Sequence, residues 1–518
     1  MTMIGSYWVA IDHDRCRSWE RPWKCGACID ACEYGVFDRD ENGRVYVANE
    51  LACVGCKICM ETACPNGCIY VRCTTPETIS RGLWSTPTIE EIHHKAQTGE
   101  YQLRGFGTMG ALPHFDGMVI VPSQLASNPP RDKYREAFDM EVVIGEGTCS
   151  RPIRLRYPFV IAAMSFGAIS REGKTALAIA AAKLGIIANT GEGGMFPGED
   201  MIVHGFDTRE AMRAGRRRWN PGGFLAVQWS TGRWGVSTDY LRAGDAVEIK
   251  IGQGAKPGMG GHLLGRKVTP EIAEVRGIPT GTDALSPCRH YDIQDKRDLA
   301  AQVEILRDLT AYEKPIMFKL GPSRPYEDVR IAAEAGADAV SVDGMAGGTG
   351  ASPAVVTQNA GIPTIACIRR AAMALEEMGM KGKVKLIALG GMRNGADAYK
   401  AIAMGADAVG FGAAAEIALG CRGCMTCHRG SCHYGLATQD TKFRRCLDAE
   451  AASERLVNFF SACAEELKIL AMLSGHDSIR TISLEDIRAL DLNTAAMTGV
   501  KMAGLERCFP EHWNDLYP

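Results

Sequence analysis

The chain has 518 residues, with 58 lysines and arginines against 61 aspartates and glutamates, a net charge of -3. An apolar share of 46% beside 23% charged residues reads as a soluble globular protein of roughly two to four units, or one large barrel with attachments, and excludes a disordered chain. The near-neutral balance gives no reason to expect nucleic acid or an anionic membrane as partner, and the basic run at 216–218 reads as a solvated helix end.

The opening "MTMIGSYWVAIDHDRC" lacks the basic segment and apolar stretch of an export signal, and no window of about 18 uninterrupted apolar residues follows, so a cytoplasmic location without a membrane span is expected. Ten of the 20 cysteines precede residue 74. Cys16 is followed by Cys25, Cys28 and Cys32, and a second run holds Cys53, Cys56, Cys59 and Cys64 before Pro65. With the hairpin-like "DENGRVYV" between them, the two runs match a two-cluster bacterial ferredoxin in outline. That outline pairs Cys16, Cys25 and Cys28 with Cys64, and Cys53, Cys56 and Cys59 with Cys32, around two 4Fe-4S clusters, with structural zinc as the weaker alternative. Cys68 is an alternative to Cys64. Residues 1–73 are therefore expected to be a small α+β ferredoxin-like domain, and 74–150 a turn-rich linker and barrel-capping segment.

From residue 159 short apolar runs recur: "FVIAAMS", "GIIANT", "FLAVQWS", "AVEIKIG", "PIMFKLG", "AVSVDGM", "VKLIALGG" and "AVGFGAA". Helix-like stretches such as "REGKTALAIAAAKL" and "YEDVRIAAEAG" lie between many of them, which is the pattern of a parallel sheet buried on both faces. Eight such strands predict a (β/α)8 TIM barrel over 151–480, with a cysteine loop at 421–432 and a C-terminal helical extension at 481–518. A doubly wound sheet is the alternative, weakened because no early strand is followed by GxGxxG. The third strand lies in a stretch of irregular spacing.

The strand ends are rich in glycine: "MSFGAIS", "NTGEGG", "KIGQGAKPGMGGH", "KLG", "DGMAGGTGASP", "ALGGMRNG" and "GFGAAAE". Glycine there lets main-chain amides approach a planar ring or a phosphate, and the last two loops suit a phosphate grip, so flavin mononucleotide (FMN) fits better than a bare metabolite. Glycines that merely build tight turns would explain any one loop, but seven such loops less well.

The strings "NTGEGG", "QGAKPG" and "DGMAGGTGASP", together with residues 421–439, resemble the synthase domain of the glutamate synthase large subunit, in the shorter archaeal-type form with a ferredoxin module. The resemblance implies a 3Fe-4S cluster on Cys421, Cys427 and Cys432, with Cys424 additional and a 4Fe-4S cluster as the alternative. It implies Glu192 and Lys256 as catalytic residues, and Gln253, His262 and Arg276 as substrate-binding. It further implies FMN contacts from Ser165, Gly167, Ala168, Gln253, Lys319, Asp343, Gly344, Gly390, Gly391, Gly410 and Gly412. His262 stands where the family has glutamine, Met259 replaces an acidic residue, and His433 replaces a proline.

The implied reaction is reductive amination of 2-oxoglutarate by ammonia, through 2-iminoglutarate, to L-glutamate. Its electron donor would be ferredoxin or an NADPH-linked reductase, its ammonia would come from a separate glutaminase subunit or from solution, and the chain would act in a homo- or hetero-oligomer. The absence of a glutaminase cysteine at the start of the chain underlies the separate subunit. An N-methylglutamate synthase subunit, or an electron-transfer subunit without its own substrate, are the alternatives.

Overall fold

The computed structural model describes residues 7–18, 25–73 and 86–508. Residues 74–85 of the expected linker, the side chain of Cys73 and residues 509–518 of the expected extension lie outside the described residues.

The chain divides into two compact units, one of residues 1–103 with 422–424 and one of residues 104–421 with 425–518. In the first, Tyr7–Ile11 pairs antiparallel with Ile69–Cys73, and Phe37–Arg39 with Val45–Val47. The second pair is the hairpin legible in "DENGRVYV". Asp40 Oδ1 accepts from the amides of Asn42 and Arg44 at 2.9 and 2.8 Å, and Gly43 takes the left-handed conformation that closes the turn. Val9, Phe37, Val45, Ile69 and Val71 form a small α+β core into which Cys16, Cys28, Cys59 and Cys68 are packed.

In the second unit eight strands form a closed parallel barrel in sequence order. They are β1 (Phe159–Ile161), β2 (Ile187–Asn189), β3 (Phe224–Trp229), β4 (Ala246–Lys250), β5 (Ile316–Leu320), β6 (Ala339–Asp343), β7 (Lys385–Leu389) and β8 (Ala408–Phe411). Each lies inside one of the eight apolar runs, the irregular third included. β8 returns to pair with β1, Val409 opposite Phe159 and Phe411 opposite Ile161, which removes both sheet edges and excludes the doubly wound sheet. Every residue of β1, β2, β5, β6 and β8 is buried, so these strands read as continuous apolar runs and not as alternating ones.

The helices obey local signals. Arg171–Leu184 starts at Ser170, whose Oγ accepts from the Gly173 amide at 3.1 Å, and stops at Gly185 with φ +67°. The long helix Ala449–Leu473 packs on it and on Gly395–Ala403. Its Phe460 meets Phe159 of β1 and Phe411 of β8 at centroid distances of 5.8 and 5.3 Å, covering the seam where the barrel closes. Met118–Ile120 pairs antiparallel with Ile487–Ala489, so segments far apart in sequence share one small sheet, and the helix Leu492–Thr498 follows it. Among the described residues no helix is long and apolar enough to cross a membrane.

Candidate active site

The carboxyl ends of the barrel strands surround a cavity of about 1290 Å³, its open mouth included. This is the face on which a barrel presents loops of freely variable chemistry. Residues from the loops after β1, β2, β4, β6, β7 and β8 line it, with Lys319 from β5.

One end carries buried charge. Glu192, in the loop after β2, accepts from Lys250 Nζ at 2.8 Å through Oε2, and from the Ser286 hydroxyl through Oε1. Burial by itself would lift this carboxyl. The Lys250 ammonium, with the Ser286 and Ser230 hydroxyls, outweighs it and holds Glu192 at about 2. Lys256, 3% exposed, donates from Nζ to the Ala351 carbonyl at 2.8 Å; burial, with Lys250 adding and Glu192 opposing, pushes it down to about 8. Arg276, 4% exposed, donates from Nη2 to the carbonyls of Phe166 and Glu192 at 3.0 and 3.1 Å, while its Nε has no hydrogen-bond partner. Burial pushes this guanidinium down to about 10, with Glu192 alone opposing. A Cβ on Gly193 would overlap the guanidinium and one on Gly261 would overlap Glu192 Oε2, so "NTGEGG" and "GMGGH" need glycine for side-chain space. Gln253 donates to Thr349 Oγ1 at 3.3 Å, and His262 Nε2 lies 3.1 Å from Asp283 Oδ2 at the rim. Met259 is 41% exposed.

The same cavity is also lined by glycine. Lys319 Nζ stands 3.3 Å from Asp343 Oδ2, with both side chains less than a tenth exposed. Burial alone would lower Lys319, but Asp343 and Glu248 outweigh it and keep the ammonium charged. Glu248 Oε1 itself accepts from Asn189 Nδ2 at 2.9 Å and Gln228 Nε2 at 2.8 Å. Ser165, Ala168, Gly390, Gly391, Gly410 and Gly412 line the wall beside this lysine. Gly167 and Gly344 stand behind it: the Gly344 amide is spent on the Leu389 carbonyl at 3.0 Å, and the Gly167 carbonyl accepts from Gln439 Nε2 at 3.1 Å. Side-chain-free main chain next to a buried ammonium suits a planar ring carrying a phosphate.

Two residues that sequence reasoning passed over belong to the charged end, Lys250 and Ser286. The signal for Lys250 was its place as the last residue of β4, since polar residues at the carboxyl ends of barrel strands are functional candidates. Ser286 carried no such signal, being brought to Glu192 by a loop excursion from 252 to 295.

The thiols correct an expectation. Among the described residues no group of three or more His, Cys, Asp or Glu is arranged to hold a metal ion. The two 4Fe-4S clusters on Cys16, Cys25, Cys28, Cys32, Cys53, Cys56, Cys59 and Cys64, and the 3Fe-4S cluster on Cys421, Cys427 and Cys432, are therefore not supported. Cys16, Cys28 and Cys59 are buried in the small core, with Cys32, Cys53 and Cys64 packed against it: burial pushes Cys28 and Cys53 up to about 11 and Cys59 to about 12, whereas ligation takes thiolates. Cys64 and Cys68 share a hydrogen bond at 3.3 Å. The late thiols diverge. Cys424 belongs to the first unit, where it neighbours Cys56, while Cys427 lines the barrel cavity and Cys421 and Cys432 pack against the barrel core.

The family described as "Conserved region in glutamate synthase" matches residues 122–477. A glutamate synthase large subunit-like protein of Rhizobium meliloti (strain 1021) is 39% identical over 433 residues, covering 80% of this chain and 93% of its own. An archaeal-type glutamate synthase (NADPH) of Thermotoga maritima is 38% identical, covering 93% of this chain and 96% of its own. An archaeal glutamate synthase (NADPH) of Methanocaldococcus jannaschii is 34% identical, covering 96% and 98%.

Proposed function

Since this chain belongs to the glutamate synthase family and is an oxidoreductase of that type, we propose that its barrel cavity holds FMN and reductively aminates 2-oxoglutarate to L-glutamate. The observation that carries this reading is the meeting of two buried cations, Lys256 and Arg276, with the ionised Glu192 in one cavity that is also lined by Lys319 and a run of strand-end glycines. FMN, once reduced by the electron donor, would supply hydride to the imine carbon.

The remaining work falls to the chain. Arg276, with an unspent Nε, and Lys256 bind the two carboxylates of the keto acid as charge-assisted pairs. Glu192 has both oxygens engaged and is ionised far below neutral pH, so it is a poor base and a good fixed acceptor for the N–H groups of ammonia and of the imine. Lys256, poised at about 8, carries the proton that leaves with the carbonyl oxygen as water when the imine forms. On the flavin side, Lys319 offers positive charge at the ring or phosphate, Asp343 orients it, and Gly390, Gly391, Gly410 and Gly412 give main-chain approach. Ser165, Ala168 and Gln253 complete the wall, and His262 contacts the acceptor from the rim.

Family membership implies an electron donor and an ammonia supply as the kinds of partner. The finer reading is a ferredoxin or an NADPH-linked reductase for the first and a glutaminase subunit for the second. A small α+β domain over 1–73 would serve as the docking end for the donor.

The test is an anaerobic assay of the FMN-loaded protein with chemically reduced ferredoxin, 2-oxoglutarate and either ammonium or methylamine, with the product identified by mass. Glutamate from ammonium supports the reading. N-methylglutamate alone, or no amino acid from either amine, overturns it.

A further inference from the structure

Behind the Lys250 and Glu192 pair stands a bracket whose residues do not line the cavity. His290, 4% exposed, stacks on Trp229 of β3 at 4.9 Å and 15°. The Arg233 guanidinium lies 3.3 Å from the Trp229 ring centroid and donates from Nη2 to both oxygens of Asp292 at 2.9 Å. Its Nη1 is 2.8 Å from His290 Nδ1. A guanidinium only donates, so Nδ1 accepts, and the proton of the neutral ring sits on Nε2, which donates to the Lys250 carbonyl at 2.8 Å. Burial lowers His290, in keeping with that neutral form. Lys250 is thereby held at its carbonyl by the bracket and at Nζ by Glu192. Ser286, which receives Trp234 Nε1 at 3.2 Å, holds the other carboxylate oxygen.

We propose that Lys250, fixed by Trp229, Arg233 and His290, is a positioning residue that keeps Glu192 ionised and aimed into the cavity where the nitrogen nucleophile binds. This rests on the reading of Glu192 given under Proposed function. Among the described residues no other cation bonds the Glu192 carboxylate. The other charged groups facing Glu192 are Lys256, whose Nζ is engaged by Ala351, Arg276, which bonds the Glu192 main chain and not its carboxylate, and the neutral His290. Ser230 and Ser286 supply hydroxyls without charge.

Two measurements on K250M, K250R and H290F, all as FMN-loaded full chains, decide the matter. The first is the pH profile of turnover with ammonium. In the wild type Glu192 contributes no acid limb in the working range, because it stays ionised down to about 2. In K250M the desolvation of Glu192 goes uncompensated by its nearest cation, so an acid limb appears within the working range and KM for ammonium rises about tenfold or more, with KM for 2-oxoglutarate little changed. K250R, which keeps the charge, lacks that limb as wild type does, and H290F shows a weaker limb of the same kind.

The second measurement needs no activity. In K250M the buried Glu192 titrates above its unfolded value, so the stability gap to wild type is small at about pH 5, where the group takes a proton, and widens toward about pH 8. A gap independent of pH, together with wild-type ammonium kinetics in K250M, or equal impairment in K250M and K250R, overturns the proposal. A wild type that makes no glutamate while the gap still widens removes the assigned reaction and leaves the charge-holding role of Lys250 in place.

Discussion

Replacing Lys174 by methionine should cost this protein a large part of its stability, and the cost should depend on pH. Lys174 lies in the helix Arg171–Leu184 and forms a 2.5 Å ion pair with Glu199, both side chains 1% exposed. Its Nζ also donates to the carbonyls of Met164, Asn189 and Thr190 at 3.0, 2.9 and 3.3 Å, so one ammonium ties the chain leaving β1 to that leaving β2. Methionine keeps the volume and removes the charge. Breaking one side of a buried pair costs about 3–5 kcal/mol, because the partner is left as an uncompensated charge.

Burial already pushes the Glu199 carboxyl up against the pull of Lys174, and without that lysine it rises further. A carboxyl raised in the folded state is penalised at high pH and relieved by taking a proton. The K174M deficit should therefore be near its full size at about pH 8 and shrink by up to about 1.4 kcal/mol per unit as pH falls toward the unfolded value. Chemical denaturation of wild type, K174M, E199Q and the double variant at about pH 5 and about pH 8 reads this directly, and the double variant should recover much of the loss by removing the orphaned charge. A K174M deficit under about 1 kcal/mol at both pH values would refute the reasoning.

G261A places a methyl group where Glu192 Oε2 lies, whereas at Gly277, with φ +69°, nothing stands within 4 Å of the added carbon. Turnover should fall about a hundredfold in G261A through displacement of the carboxylate, while G277A should keep its rate and lose only about 1 kcal/mol of stability to backbone strain; initial rates and melting curves on the pair separate the two effects. The rate with saturating ammonium should decline as pH rises through about 8, where the Lys256 ammonium is lost, and K256R should be slow throughout and show no such limb, because its guanidinium stays charged and gives up no proton, as a pH–rate profile would reveal. K319M leaves Asp343 and Glu248 without their shared cation, so FMN affinity should weaken by about ten- to a hundredfold in a fluorescence titration of apoprotein. Equal affinity would remove Lys319 from the flavin site.

The sequence by itself determined the barrel. Strands such as "PIMFKLG" and "AVSVDGM" are buried on both faces in a parallel sheet, so each shows as an unbroken apolar run whatever its neighbours are, and the intervening helices carry their own start and stop signals, as at Ser170 and Gly185. The glycine-rich strand ends were legible for the same local reason: side-chain-free main chain is written residue by residue.

What the tertiary structure decided is which side chains meet. Lys250, Glu192 and Ser286 are separated by 58 and 94 positions along the chain and become partners only because β2 and β4 end on one rim and a loop folds back over it. The strand Met118–Ile120 likewise meets Ile487–Ala489 from a distant part of the chain. The thiols give the converse lesson, since spacing sets how near two cysteines are along the chain and not where their sulfurs point. Cys424 and Cys427 are three residues apart, yet one is held in the N-terminal unit and the other faces the barrel cavity. Periodicity and spacing are local quantities, whereas the direction of a side chain and its charge at neutral pH follow from burial and from partners that only the closed fold brings within reach.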